Sequence, residues 1–202
     1  MSSLSALSSP PFVVIEGVIN VRTIGGYKAD ASYIVNPKLV FRSGEVNGIT
    51  ETGKEQLLAL GIRRIFDMRT NYEINMYKTA SGGIPDVDFI HVPVGKEEAW
   101  DPEKRLKHYE ENELEAFVKD AEETLQTAAP ALEAIFRPFS REARGAMPIS
   151  LHRTGLVAAL ILMLLGVDDA DITKDYALTT VGLEPARGKA HPPNAEHPSV
   201  SG

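Results

Sequence analysis

Apolar and polar positions along this chain fall into short β-type runs separated by longer helical ones. Two brief apolar runs, 13–15 and 18–22, flank Gly17 and precede the turn pair Gly25-Gly26, and 39–42 is a third of the same kind. Thr50 is placed to cap a helix through Leu60 with Gly61 closing it, and Thr52 with Glu55 offers a capping box further on. The run 62–68 is densely apolar, the pattern of a strand buried on both faces, and 89–94 alternates as a further strand. The charged stretch 101–126 predicts one long helix. A second helix is expected over 130–137, with Pro130 at the favoured first position. After the short apolar run 147–151, the stretch 154–165 is apolar almost all round and predicts a buried helix ended by Gly166. Asp169 or Asp171 is expected to cap a last helix through Leu178.

Strands alternating with helices indicate an α/β domain with a central sheet flanked by helices. That domain is expected over 12–185. Residues 1–11 are rich in Ser and Pro, and 186–202 are rich in Pro, His and Gly without periodicity, so both ends are expected to be disordered. No internal repeat is visible.

Composition narrows the function. The chain has 202 residues, no cysteine, 21 Lys plus Arg and 28 Asp plus Glu. A net charge of −7 argues against nucleic acid as a partner, because phosphate neutralisation needs a basic surface. The stretch 97–123 holds 11 acids and 4 Lys or Arg, which accounts for the whole excess. It reads as a solvated helical face, with a docking surface for a basic protein as the alternative. The first residues lack the basic and apolar regions of a secretory signal, and the longest apolar block, 156–165, is too short to span a bilayer. A cytoplasmic location without a membrane span is expected. The absence of cysteine excludes disulfides, thiolate metal sites and a thiolate nucleophile. His91, His108, His191 and His197 lack the spacing of a zinc site, so no metal is expected.

Several segments together resemble the protein tyrosine phosphatase superfamily, in its microbial and fungal tyrosine and dual-specificity branch. Asn20-Val21-Arg22-Thr23-Ile24-Gly25-Gly26 is similar to an Asn-x-Arg-Asp-x-Gly-Gly signature, with Thr23 in place of Asp. Phe41-Arg42-Ser43-Gly44 matches its Arg-Ser-Gly, and Asp67, Arg69 and Glu73 match its Asp-x-Arg-x-x-x-Glu segment. Arg153-Thr154-Gly155, the apolar helix, Gly166 and Asp175-Tyr176-Ala177-Leu178-Thr179 resemble the end of its phosphate loop and the helices after it. The resemblance implies a phosphatase-like central sheet, hydrolysis of phosphate monoesters through a phosphocysteine, and no cofactor.

One departure bears directly on that reaction. The family's loop runs His-Cys-x-x-Gly-x-Asp-Arg-Thr-Gly, whereas here Leu151-His152 is joined directly to Arg153-Thr154-Gly155. The nucleophile and most amides that would cradle a phosphate have no counterpart between His152 and Arg153. No catalytic residue is therefore assigned. Arg153, Thr154 and Gly155 are the candidates for residual phosphate binding, as an Arg at a helix start. His152 is too close to Arg153, with Cα atoms about 3.8 Å apart, for a loop to wrap phosphate between them, and it reads as a strand-end residue. Asp67 and Arg69 are expected at a strand end, with Arg69 paired to Glu73, or alternatively at the rim of a substrate site. Arg22 and Arg42 are expected in internal ion pairs or at a second phosphate.

The resulting expectation is a tyrosine-phosphatase-like protein without phosphocysteine turnover, with a phosphorylated protein or a phospholipid as ligand. Three alternatives stand beside it. A differently spliced transcript would restore the loop and an active tyrosine or dual-specificity phosphatase. The scaffold could instead serve small-molecule tailoring, with His152, Asp67 or Arg153 as acid, base or anion clamp. Or it could act purely by partner binding through 97–123.

Overall fold

A five-stranded sheet carries the fold, in the order Arg22–Thr23, Val40–Arg42, Met147–Ile149, Arg64–Asp67, Asp88–His91. The computed structural model describes residues 7–29, 32–77, 83–96, 102–137, 147–149 and 154–186, with the backbone alone at 102–106, 147–149 and 154. The strands of this sheet are β1 (Arg22–Thr23), β4 (Val40–Arg42), β5 (Arg64–Asp67), β6 (Asp88–His91) and β7 (Met147–Ile149). β1 pairs antiparallel with β4, and β4, β7, β5 and β6 run parallel. A separate hairpin joins β2 (Lys28–Ala29) to β3 (Tyr33–Ile34), and Ala29 also bridges to Val167. The helices are α1 (Glu51–Ala59), α2 (Asn71–Tyr77), α3 (Pro102–Glu111), α4 (Glu113–Thr127), α5 (Ala129–Phe136), α6 (Thr154–Leu164) and α7 (Asp169–Gly182), followed by a 3-10 turn at Glu184–Ala186. The α/β class expected from the alternation is the one observed.

The dense apolar run 62–68 is explained by two cores. Strand side chains alternate between faces, so Phe66 and Val40 join one core with Val157, Ala158 and Ile161 of α6 and Ala131 and Ile135 of α5. Ile65 and Phe41 join the other, with Leu57 of α1 and the N-terminal residues Ile15, Val18 and Val21. Ile65 and Phe66 are both almost fully buried, as a strand covered on each side requires.

Local chemistry sets most boundaries. Thr50 caps α1 by accepting from the Gly53 amide, and Gly61 (φ +79°) and Gly166 (φ +79°) take the left-handed conformation that ends a helix. After α6 the amides of Gly166 and Val167 donate to the carbonyls of Met163 and Leu162, both at 3.0 Å. The expected cap of the last helix is corrected: Asp168 accepts from the Asp171 amide, and α7 continues to Gly182. The first expected strands are also shorter. Phe12 bridges Arg22 and Ile15 bridges Val18, but Asn20 has φ +58°, which interrupts a continuous ladder and leaves only Arg22–Thr23 as strand. Residues 9 and 11 already accept hydrogen bonds, from the Phe12 and Thr23 amides.

Two helical expectations change. The stretch 101–126 breaks at Asn112, whose extended backbone (φ −156°) separates α3 from α4 and whose side chain accepts from the Glu115 amide. The Asn112 side-chain Nδ2 donates in return to Glu115 Oε2 at 3.1 Å, so the two residues brace the start of α4 reciprocally. Helix α6 is not buried all round. Val157, Ala158, Ile161 and Leu162 form its buried face, while Met163 and Leu164 and the following Leu165 are exposed. No helix among the described residues is long and apolar enough to cross a membrane.

Asn112→Ala removes the α4 cap while leaving every core contact in place. It is expected to lower unfolding free energy by about 1 kcal/mol, measured as a shift of the urea midpoint at constant slope; an unshifted midpoint would mean the α3–α4 corner is held without this cap.

Candidate functional site

Parallel strands of an α/β sheet place their functional residues at the carboxyl ends, where the chain leaves the sheet. Here β7 lies between β4 and β5, and its last residue, Ile149, is level with Arg42 on one side and Phe66 on the other. Helix α6 follows β7 in the chain, and residues 150–153 between them lie outside the described residues. Leu151, His152 and Arg153 lie outside the described residues, as does the Thr154 side chain. Gly155 is described, in the first turn of α6.

Beneath that turn lies a buried cluster of charge. Arg22 and Arg42 are direct partners across β1 and β4, so two cations project from neighbouring positions. Asp175 on α7 answers both. Its Oδ2 accepts from Arg42 Nη1 at 2.9 Å, and its Oδ1 lies 3.7 Å from Arg22 Nε. Arg22 Nη2 also donates to the Asp175 carbonyl at 3.2 Å and to Thr179 Oγ1 at 2.8 Å. Asp175 and Thr179 are one helical turn apart, which puts both on the same face of α7. Arg22 Nη1 donates to Asn20 Oδ1, and the Tyr27 hydroxyl donates to Asp175 Oδ1 at 3.4 Å. The side chains of Arg22, Arg42 and Asp175 are only 0%, 3% and 2% exposed.

One carboxylate against two guanidiniums leaves a net positive charge in this cluster. Burial and the neighbouring Arg42 pull the Arg22 pKa down to about 10, against the pull of Asp175. Burial also lowers that of Arg42, again opposed by Asp175. Burial, then the charge of Asp175, pushes Tyr27 up to about 12. Arg22 Nε, Arg42 Nε and Asn20 Nδ2 are buried without a hydrogen-bond acceptor. Gly155 ties the cluster to α6: a Cβ there would lie 2.7 Å from Tyr176 Cε2 and 3.2 Å from Arg42 Nη2. The Arg42 guanidinium therefore sits against the first turn of α6, where the helix dipole is also positive.

Across β7 a second cluster has the opposite balance. Arg69 Nη2 donates to Asp67 Oδ2 at 2.6 Å, Nε to Asp67 Oδ1 at 2.9 Å, and Nη1 to Glu45 Oε1 at 2.6 Å. The Arg69 carbonyl lies 2.8 Å from His91 Nε2 at the end of β6. Burial would lower the Arg69 pKa, but the hydrogen bonds and charge of Asp67, then of Glu45, raise it instead. The expected Arg69–Glu73 ion pair is corrected. Glu73 accepts from the Thr70 amide at 2.7 Å and from its hydroxyl at 3.0 Å, while Thr70 Oγ1 accepts from the Glu73 amide at 3.2 Å. This capping box starts α2, and Glu73 reaches Arg69 only through its field.

The structure thus brings Arg22, Arg42 and Gly155 together, and Asp67 with Arg69 separately. Asp175 entered the sequence reading only as part of a family-like run, and Thr179 with it; Glu45, Tyr27 and Asn20 in these roles were not anticipated. Glu45 had no visible signal, since it lies 24 residues from Arg69. No three His, Asp or Glu side chains among the described residues are grouped as a metal site.

Two outcomes are expected of the buried cluster. Asp175→Ala leaves two arginines uncompensated and is expected to cost about 3–5 kcal/mol or to prevent folding, whereas Arg42→Met in the same background recovers stability; denaturant titration of the single and double variants checks this, and equal losses would refute it. Tyr27 carries the second. Its folded pKa of about 12 exceeds the ordinary value of 10, so its contribution is complete below about pH 10 and lost as pH rises through 12. Tyr27→Phe should flatten the fall in stability between those values, and an unchanged slope would count against the assignment.

Known proteins are similar to this chain in sequence. A sequence profile described as the tyrosine phosphatase family matches residues 13–199. A tyrosine-protein phosphatase of Nostoc commune is 25% identical over 147 residues, covering 71% of this chain and 49% of that protein. The triple specificity protein phosphatase PtpB of Mycobacterium tuberculosis is 28% identical over 191 residues, covering 80% of this chain and 67% of that protein. The chain spans about half the length of the Nostoc protein. With a profile match over nearly all of its sequence, the chain belongs to the tyrosine phosphatase family.

Proposed function

We propose that this chain is a non-hydrolysing member of its family, which holds a phosphate group at the start of α6 without transferring it. The observation that carries this reading is the complete absence of cysteine from the 202 residues. The reaction implied by the family resemblance needs a low-pKa thiolate and a ring of backbone donors, and His152 directly followed by Arg153 supplies neither. Loss of the nucleophile from a concerted site costs on the order of 10⁴ to 10⁶ in rate. What favours retained anion binding is electrostatic. The Arg42 guanidinium lies against Gly155, in a cluster with one positive charge in excess, and the helix start adds to the same field. Arg153 and Thr154 complete the proposed site. Its ligand is the phosphate monoester of a protein or a phospholipid headgroup, met in the cytoplasm.

An active enzyme from a transcript with a longer loop is the second reading, favoured by the retained Asp67–Arg69–Glu45 and Arg42–Asp175 ion pairs on either side of β7. Transcript sequencing across codons 150–156 separates the two, since a cysteine codon there assigns turnover to the natural protein. For the chain of this sequence, release of p-nitrophenol from its phosphate ester should equal that of buffer. Inorganic phosphate should still shift amide resonances at the start of α6, and Arg153→Ala should weaken that binding. Turnover that disappears in Arg153→Ala would overturn the proposal.

A further inference from the structure

Helix α4 turns an apolar face to water. Leu114, Val118 and Leu125 are 74%, 47% and 57% exposed. With the half-buried Ala121 they recur at i, i+4, i+7 and i+11, the spacing of a single helical stripe. The other side of α4 is the one used for packing: Ala116 and Thr124 are buried, and Tyr109 of α3 donates to Asp120 at 2.7 Å. A contiguous apolar stripe left in water is the mark of an interaction surface.

Its border gives the sign of the partner. Residues 110–123 contain seven acids and one lysine. At the helical pitch, Glu122 and Glu115 lie about 80° and 100° round from Leu114, which places both along one edge of the stripe. Some of these carboxylates are already used: Asp120 by Tyr109, and Glu123 by the Lys96 amide at 3.0 Å. No cation among the described residues pairs with Glu110, Glu113 or Glu122. Two copies of the chain meeting through this face would oppose one acidic border to another, a juxtaposition that suppresses association.

We propose that the outer face of α4 binds a cationic amphipathic helix of another protein, whose apolar side lies on Leu114, Val118 and Leu125 and whose Lys or Arg flank faces Glu115 and Glu122. Helix-on-helix recognition of this kind reads apolar anchors at i, i+3, i+4 and i+7 and uses charge to fix orientation. The surface borders the candidate site through Phe117, which packs edge-on against Tyr176 with ring centroids 5.8 Å apart, but it requires no phosphate and no turnover.

The probe is a labelled leucine–lysine peptide with leucines at helical spacing, titrated with the full chain and read by fluorescence anisotropy. Leu114→Ser with Val118→Ser should weaken binding about tenfold or more, because the anchors of a helix-in-groove contact dominate its affinity. Glu115→Gln with Glu122→Lys should weaken it and reduce its salt dependence. Glu115→Gln retains the side-chain acceptor at the α4 start, and the other positions are exposed, so circular dichroism should not change. A peptide of the same composition with its leucines scattered should bind at least tenfold more weakly. Equal binding of that scattered peptide, equal binding by the serine variant, or a dimer of the chain dispersed by the serine substitutions would each overturn the proposal.

Discussion

Two arginines side by side on adjacent strands repel one another, and the arrangement persists because Asp175 lies between them. Arg22 and Arg42 are register partners on β1 and β4, so without a counterion they would form a buried like-charge pair. The aspartate arrives from α7, more than 130 residues along the chain, and brings Thr179 on the next turn as a second acceptor. One carboxylate thereby joins the sheet edge, the last long helix and, through Tyr27, the β2–β3 hairpin. Removing charge from water at three side chains almost without exposure is costly. That cost is offset by contacts that form only when sheet and helix are both in place.

The same cluster fixes the electrostatics at the start of α6. Its unbalanced positive charge and the helix dipole have one sign and one location, against Gly155. The cluster across β7 differs in kind, since two carboxylates, Asp67 and Glu45, hold the single guanidinium of Arg69. Arg69 is fully engaged by them and its backbone carbonyl meets His91, so the end of β5 is braced toward β6. The two clusters therefore differ in sign on either side of β7, positive around Arg42 and carboxylate-rich around Arg69.

Legibility in the sequence was mostly local. Thr50, Gly61 and Gly166 act within one turn of their own helices, so their roles could be read from spacing. The Asn112-x-x-Glu115 and Thr70-x-x-Glu73 boxes were equally local but were masked, the first by strong helix formers on both sides and the second by the apparent pairing of Arg69 with Glu73. The β2–β3 hairpin has two residues per strand and no periodicity to detect; it is held by packing of Ala29 against Leu162 and Val167. Helix α6 reads as apolar on every side, so its pattern could not reveal that Met163 and Leu164 face outward. The candidate site was legible as residue types in family-like order. Its ion pairing was not, because Asp175 and Glu45 meet their arginines only after the chain has folded.

Stability and chemistry are separable in this scaffold, which explains how a chain without cysteine can keep so much of its family's outline. Each charged residue that the resemblance singled out among the described residues also holds the fold together: Arg22 and Arg42 pair with Asp175, Asp67 pairs with Arg69, and Glu73 caps the start of α2. None of these contacts requires a thiolate or a bound phosphate to be satisfied. Substituting them would expose unpaired buried charge, so folding alone is sufficient reason for their presence. The thiolate that the resemblance implies has no part in these contacts. Binding without turnover, as proposed for this chain, draws only on the positive start of α6 that Arg42 and its partners provide.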